Sequence, residues 1–351
     1  MLIYWVLFGA CAIAALLEGA QSSQARRASL LGMAVAYIAL ALLIGLRRDV
    51  GGDWYNYLVN YRLISGRPLD QILQWGDPGY QFVSWIAMQM GWGVAGLNVI
   101  CALIFTVGLV AFSLMQPRPW LALLVSIPYL VIVVAMGYTR QGVAIGLAMM
   151  GLVALSRRSN VGFVVWVALA ALFHKSAIIL LPIPVIATTR QRAWTALWVG
   201  IAVLEMYYLF VAASYESLYV NYIQAQYQSQ GATIRILMNA LPAIVFLIFR
   251  KRFPLSDAER VVWTWIAVAA VLFVPLLMYS PSSTAVDRIG LYFIPLQLFV
   301  FSRLPDIPRE NAKAGRALGF GVIAYYGAVQ FTWMNYAVNA RGWIPYNSYL
   351  F

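Results

Sequence analysis

The sequence predicts an all-α, polytopic membrane bundle, and three observations carry that expectation. Hydrophobic residues make up 63% of the 351 and charged residues only 10%, against roughly 25% charged in a soluble domain. Mean hydropathy is +0.78. Lysine and arginine come in short clusters between long apolar runs, the pattern of loops that flank membrane helices. No polar linker divides the chain, so residues 1–351 read as a single transmembrane domain.

A helix needs about 20 apolar residues to cross the hydrocarbon core. Against that length the candidate spans are 2–18, 28–46, 97–116, 120–138, 140–156, 160–173, 175–189, 193–213, 233–250, 260–279, 288–302 and 316–334, twelve in all. The first begins at Leu2 with neither a basic segment before it nor a small-residue cleavage site after it, so it reads as a retained span. Cys11 and Cys101 both lie in apolar runs, which excludes a disulfide framework and a paired-cysteine metal site. The net charge of +12 would suit nucleic acid, but its spacing assigns it to loops. The lipid bilayer is the expected partner.

If Arg26 and Arg27 are cytoplasmic, alternation puts Arg118, Arg157 with Arg158, Arg190 with Arg192, the 250–260 cluster and the 303–316 cluster on the same side. These are fifteen of the 24 basic residues, and every inside loop obeys the positive-inside rule. Both ends of the chain then lie outside. The 47–96 loop is extracytoplasmic, and within it 79–92 is short and aromatic. Counting it as a crossing would reverse every later loop, so it reads as a re-entrant or interfacial helix. Residues 214–232 form a second outer loop, aromatic and almost uncharged.

Nine basic residues remain outside: Arg47, Arg48, Arg62, Arg67, Arg140, Lys175, Arg235, Arg288 and Arg341. Any one could snorkel to lipid headgroups, yet several together break the charge bias. Arg140 opens a span that carries Gly142 and Gly146 at a spacing that allows close helix approach. The single histidine, His174, sits with Lys175 between two short apolar runs, where an ionisable pair is costly unless it faces a cavity, a partner or a substrate. Clustered guanidinium and ammonium groups suit a phosphate or diphosphate, and a histidine beside them can take a proton. The first outer loop, with Asp49, Asp53, Trp54, Tyr55, Tyr57 and Asp77, offers acceptors and amphipathic rings for sugars. Its bland alternative is an aromatic interfacial belt. Asp49 and Asp53 match no recognised metal motif, so no metal site is assigned; a divalent cation stays a minor alternative. No nucleotide-binding or common hydrolase signature occurs.

The stretches Arg47-Arg48-Asp49-Val50-Gly51-Gly52-Asp53-Trp54-Tyr55-Asn56-Tyr57, Thr139-Arg140-Gln141-Gly142, Phe173-His174-Lys175-Ser176-Ala177 and Asp287-Arg288-Ile289-Gly290, in this order and spacing, resemble the EpsG-type, Wzy-like family of bacterial exopolysaccharide and O-antigen polymerases. The resemblance implies a GT-C-like inner-membrane glycosyltransferase. Such an enzyme joins undecaprenyl-diphosphate-linked oligosaccharide repeats at the outer leaflet, with no required cofactor and a chain-length regulator or export complex as potential partner. On that reading Arg140, Arg288 and Lys175, with Arg47 and Arg48, bind the diphosphate, and His174 is the base, with Asp53 or Asp287 in reserve. Asp49, Trp54, Tyr55, Tyr57 and Asp77 would hold sugars. The rival expectations are a flippase for lipid-linked oligosaccharide, a membrane acyltransferase and a structural export subunit.

Overall fold

The computed structural model describes residues 1–18, 23–187, 192–206, 228–308 and 311–350, and every regular element among them is helical. The first half comprises α1 (Leu2–Leu17), α2 (Ser23–Gly45), the loop helices α3 (Trp54–Ile64), α4 (Leu69–Ile72) and α5 (Pro78–Gln89), then α6 (Gly93–Leu114) and α7 (Pro119–Ser126). The middle holds α8 (Thr139–Ser156), α9 (Asn160–Phe173), α10 (Ile183–Ala187) and α11 (Arg192–Met206). The last part holds α12 (Ala232–Phe249), α13 (Asp257–Tyr279), α14 (Ser283–Gly290), α15 (Ile294–Phe301) and α16 (Ala312–Tyr336).

Among the described residues, five stretches are long and apolar enough to cross a membrane: Gly93–Leu114, Thr139–Ser156, Ala232–Phe249, Asp257–Tyr279 and Ser283–Asp306. The other expected spans are shorter apolar helices or, at Ala312–Tyr336, a longer but more polar one. Proline explains two departures. The run 175–189 is a 3-10 turn over Lys175–Leu180 followed by the five-residue α10, because Pro182 and Pro184 cannot supply the amides of a continuous helix. Pro128, likewise without an amide, sits in a nine-residue π-helical stretch, Ile127–Ala135, that continues α7 and is wholly buried. The segment 79–92 is the 12-residue α5 with a turn after it, well short of a crossing.

Helix ends sort into two groups. At one end the Tyr4 hydroxyl donates to Trp343 O at 2.8 Å, and the Gly51 amide donates to Gly342 O at 2.7 Å. At the other, Arg118 is forked by Asp306 and the Trp120 amide donates to Glu18. The first and last helices therefore begin and finish at the same face as the 47–92 loops.

Small residues and buried amides tie the helices together. A side chain on Gly108 of α6 would meet Gly146 O of α8 at 1.9 Å, so these two helices touch backbone to backbone. Gly142 instead lies against Ala135 of the π-helical stretch. Deeper in, Asn239 donates to Gly290 O at 2.8 Å, Gln297 to Asn239 Oδ1 at 2.6 Å, and Tyr326 to Gln297 Oε1 at 2.7 Å. Where water is scarce, such a chain satisfies each polar group and locks α12, α15 and α16 in register.

Candidate functional site

The site grows from the break between the π-helical stretch and α8. Gly137 lies so close to the Trp343 ring that a Cβ would meet it at 2.1 Å, and Gly51, at φ +114°, packs on Met136 O. Only glycine fits such a contact at such a φ. The first outer loop is thereby drawn against the start of α8, where the Asp53 amide donates to Gly137 O at 3.3 Å. Arg140, in the first turn of α8, reaches Asp77 at the head of α5, with Nη1 at 2.8 Å from Oδ2. It also bonds the Tyr57 hydroxyl and lies 6.0 Å from the Tyr80 ring centre.

His174 closes α9 in an extended backbone conformation, which turns its ring out of the helix. Its Nδ1 lies 2.5 Å from Ser176 Oγ, and Ser176 donates to the Tyr292 hydroxyl at 3.3 Å. A hydroxyl has one proton. With that proton given to Tyr292, Ser176 accepts from Nδ1–H, and Nε2 is left as the basic nitrogen. From the other side, Gln141 of α8 donates to Arg288 O at 2.6 Å and holds α14 in place.

The charges of Arg288 and Arg140 act together on His174, Asp53 and Asp77, and Lys175 acts on Asp77. Burial, then Arg288, then Arg140 push the His174 imidazole down to about 3, so the ring is neutral. Burial raises the Asp53 carboxyl, while Arg288, Arg140 and a bond from Asn56 pull it back. Burial likewise raises Asp77, against the pull of Arg140 first and Lys175 next. Five chain segments thus deliver His174, Lys175, Arg140, Arg288, Asp53 and Asp77 to one neighbourhood.

Other residues expected in the site are placed elsewhere or spent on the fold. Arg47 is fully buried, donating to Ile44 O, Val50 O, Asn98 and Thr139, so its guanidinium fastens α2 to α6 and α8 instead of facing a diphosphate. Trp54 is buried within cation–π range of it, 5.8 Å from guanidinium to ring centre, and Tyr57 is buried against Tyr80. Neither ring offers a face for stacking on a sugar, though Tyr55 is exposed. Arg48 and Asp49 pair with each other at the surface at 3.6 Å. Asp287 is engaged by Arg235 through both oxygens, at 2.7 and 2.6 Å, and accepts from Ser229 at 2.8 Å, so its carboxylate is occupied in joining segments of the fold. Among the described residues no three His, Cys, Asp or Glu side chains come together, so none is assigned to a metal. Residues 214–227 of the second outer loop lie outside the described residues.

The EpsG family model matches residues 31–348. The chain belongs to the EpsG family. Membership supports a polysaccharide-polymerase type of role in general. Neither a curated protein nor a solved structure matches the chain significantly.

In this EpsG-family chain the sequence pattern left several supporting residues unmarked. Arg235 stood among the outer basic residues, but nothing in the sequence paired it with Asp287, 52 positions away. Gln141 lay inside a stretch already singled out, and only its bond to Arg288 O gives it a part. Ser176 also lay inside a stretch singled out beforehand, but Tyr292 carried no signal, since a hydroxyl partner 116 residues away has no characteristic spacing. Trp343, which donates to Ile132 O at 2.8 Å and underlies Gly137, sits in a tail after the last helix that pattern reading passed over.

Proposed function

We propose that this end of the bundle joins lipid-diphosphate-linked oligosaccharide repeats into polysaccharide at the outer leaflet of the bacterial cytoplasmic membrane. The observation that carries the reading is the convergence of Arg140, Arg288 and Lys175 on Asp77, with Arg288 and Arg140 acting also on a neutral histidine. Family membership points the same way. The excess of Lys and Arg at the opposite end, among Arg118, Arg158, Lys251, Arg252, Arg303 and Arg316, supports assigning that end to the cytoplasm under the positive-inside rule. The lipid carrier is undecaprenyl diphosphate, as the family resemblance implies.

In this mechanism the donor sugar is bonded at its anomeric carbon to the diphosphate. The acceptor hydroxyl oxygen attacks that carbon, the carbon–oxygen bond to phosphate breaks, and the diphosphate leaves with the bonding electrons. Arg140 and Arg288, with Lys175, neutralise the charge that develops on the leaving oxygen. The acceptor proton passes to Nε2 of His174, whose tautomer is set by Ser176. An imidazole held at about 3 is a weak base. Burial is the larger cause of that depression; a bound diphosphate offsets the smaller part due to Arg288 and Arg140 and raises the imidazole toward its ordinary value, so the substrate strengthens the base it uses. Asp53, in the field of the same arginines, is the second candidate for the proton.

The test is incubation of the purified protein with defined lipid-linked repeats. Lengthened chains and free lipid diphosphate are the expected products; movement of intact repeats across the bilayer without lengthening would make the protein a flippase, and incorporation of a labelled acyl group would make it an acyltransferase.

A further inference from the structure

The opposite end of the bundle holds a cavity of about 460 Å³, between the end of α8, the start of α9 and the start of α13. Its floor is aromatic: Trp263 and Phe299 stack with ring centres 3.8 Å apart, and the Arg303 guanidinium lies 4.0 Å from the centre of the Phe299 ring. Leu152, Leu155 and Val262 line it with apolar surface, and Arg158 lines it as well.

Arg303 is the unusual member. It is only 8% exposed, and its hydrogen bonds go to uncharged oxygens, Gln116 Oε1 and Phe299 O. Among the described residues no carboxylate lies within ion-pair distance of it. Asp306, three residues on, is forked by Arg118. Glu259, on the cavity rim, closes a capping box with the amide and hydroxyl of Ser256. Glu259 and Asp306 act on its charge from beyond contact distance, and a buried cation with no carboxylate in direct contact gains when an anion arrives to pair with it.

We infer that this cavity binds the phosphate of an anionic phospholipid headgroup. Arg303 and Arg158 supply the charge that phosphate oxygens take, and the leucine wall suits the glycerol and first methylenes behind them. The volume accommodates a headgroup and excludes whole acyl chains. The surrounding loops carry Arg157, Arg250, Lys251 and Arg252, which draw acidic lipids to this end. The inference is independent of the polymerase reading, because it concerns binding at the other end of the molecule.

The full-length protein in detergent micelles is titrated with dioleoylphosphatidylglycerol, dioleoylphosphatidylcholine or inorganic phosphate, and its melting temperature is followed. Both lipids present a phosphodiester, but the choline ammonium is repelled by Arg303 and Arg158, so the wild type is expected to bind the glycerol lipid about tenfold more tightly than the choline lipid. Leu155→Trp, which fills the cavity, and Arg158→Gln, at its mouth, are expected to erase that preference. Arg303→Gln does so too where it folds, and the other two variants carry the test if it does not. Equal binding of the two lipids to the wild type, or an undiminished preference in Leu155→Trp and Arg158→Gln, overturns the proposal. A shift with inorganic phosphate as large as with the lipid, and sensitive to Arg158→Gln, keeps the anion site and overturns its lipid source.

Discussion

Two aspartate–arginine pairs stand at the same end of the bundle and are built for different ends. Asp287 holds Arg235 through both oxygens, Ser229 adds a third bond, and the Arg235 side chain is 17% exposed. Asp77 meets Arg140 through one oxygen at 2.8 Å, and the Arg140 side chain is 39% exposed. A guanidinium locked in a fork has its planar edge filled, whereas Arg140, held by one carboxylate oxygen and the Tyr57 hydroxyl, keeps donors for a ligand. One pairing is a fastener between α12 and α14. The other steadies a cation that still faces outward.

The comparison predicts opposite failures, and the largest is in stability. Arg235→Ala leaves Asp287 buried and unpaired, which costs about 3–5 kcal/mol and is read as a large drop in melting temperature. Arg140→Ala leaves a partly open site, so the protein is expected to stay folded while polymer formation falls by about 10²- to 10³-fold, as for loss of a group that meets developing negative charge. Arg288→Ala is expected to behave like Arg140→Ala. A stable Arg235→Ala, or an Arg140→Ala protein that unfolds without ever showing a folded inactive state, would reverse the two assignments.

His174 sharpens the same contrast, because the open Arg288 and Arg140 add to the depression that burial imposes on it. His174→Ala is expected to lower turnover about 10²-fold or more. The pH dependence has a definite sign. The folded ring titrates at about 3 and the unfolded one near 6.5, so between these values the unfolded chain holds a proton that the folded chain lacks. Stability therefore falls as pH drops from 6.5 toward 3, by at most about 1.4 kcal/mol per pH unit, and His174→Gln removes that contribution. In the same frame, kcat/KM should show no histidine limb between about pH 5 and 8, while kcat, measured with diphosphate bound, gains one.

What the sequence revealed followed physics that acts along the chain. Hydropathy located the apolar runs, and loop charge separated the basic end from the end that carries His174, Arg140, Arg288 and Asp53. Proline marked the breaks at 128, 182 and 184 once their missing amides were weighed, though span counting overlooked them. What stayed hidden depends on contacts between distant segments. Arg47 and Arg140 look alike in sequence, each at the edge of an apolar run, yet four neighbouring oxygens enclose the first and one carboxylate and a tyrosine steady the second. No local pattern distinguishes a guanidinium consumed by its own fold from one left for a ligand.

The smallest expected effect concerns Ser176, and it isolates positioning from proton transfer. With Ser176 accepting from Nδ1–H, the basic nitrogen of His174 is Nε2. Ser176→Ala removes that acceptor, so the ring is free to carry its proton on either nitrogen and the productive tautomer is diluted. Turnover should fall only about tenfold, because the base itself remains, and Ser176→Thr, which keeps the hydroxyl, should restore most of it. Because the chain contains a single histidine, nitrogen-15 labelling of that residue reports the tautomer without any assay. The wild type should give one protonated Nδ1 and one bare Nε2 signal, and Ser176→Ala an averaged pair. An unchanged tautomer in Ser176→Ala would leave the hydroxyl as packing alone, whatever happened to turnover.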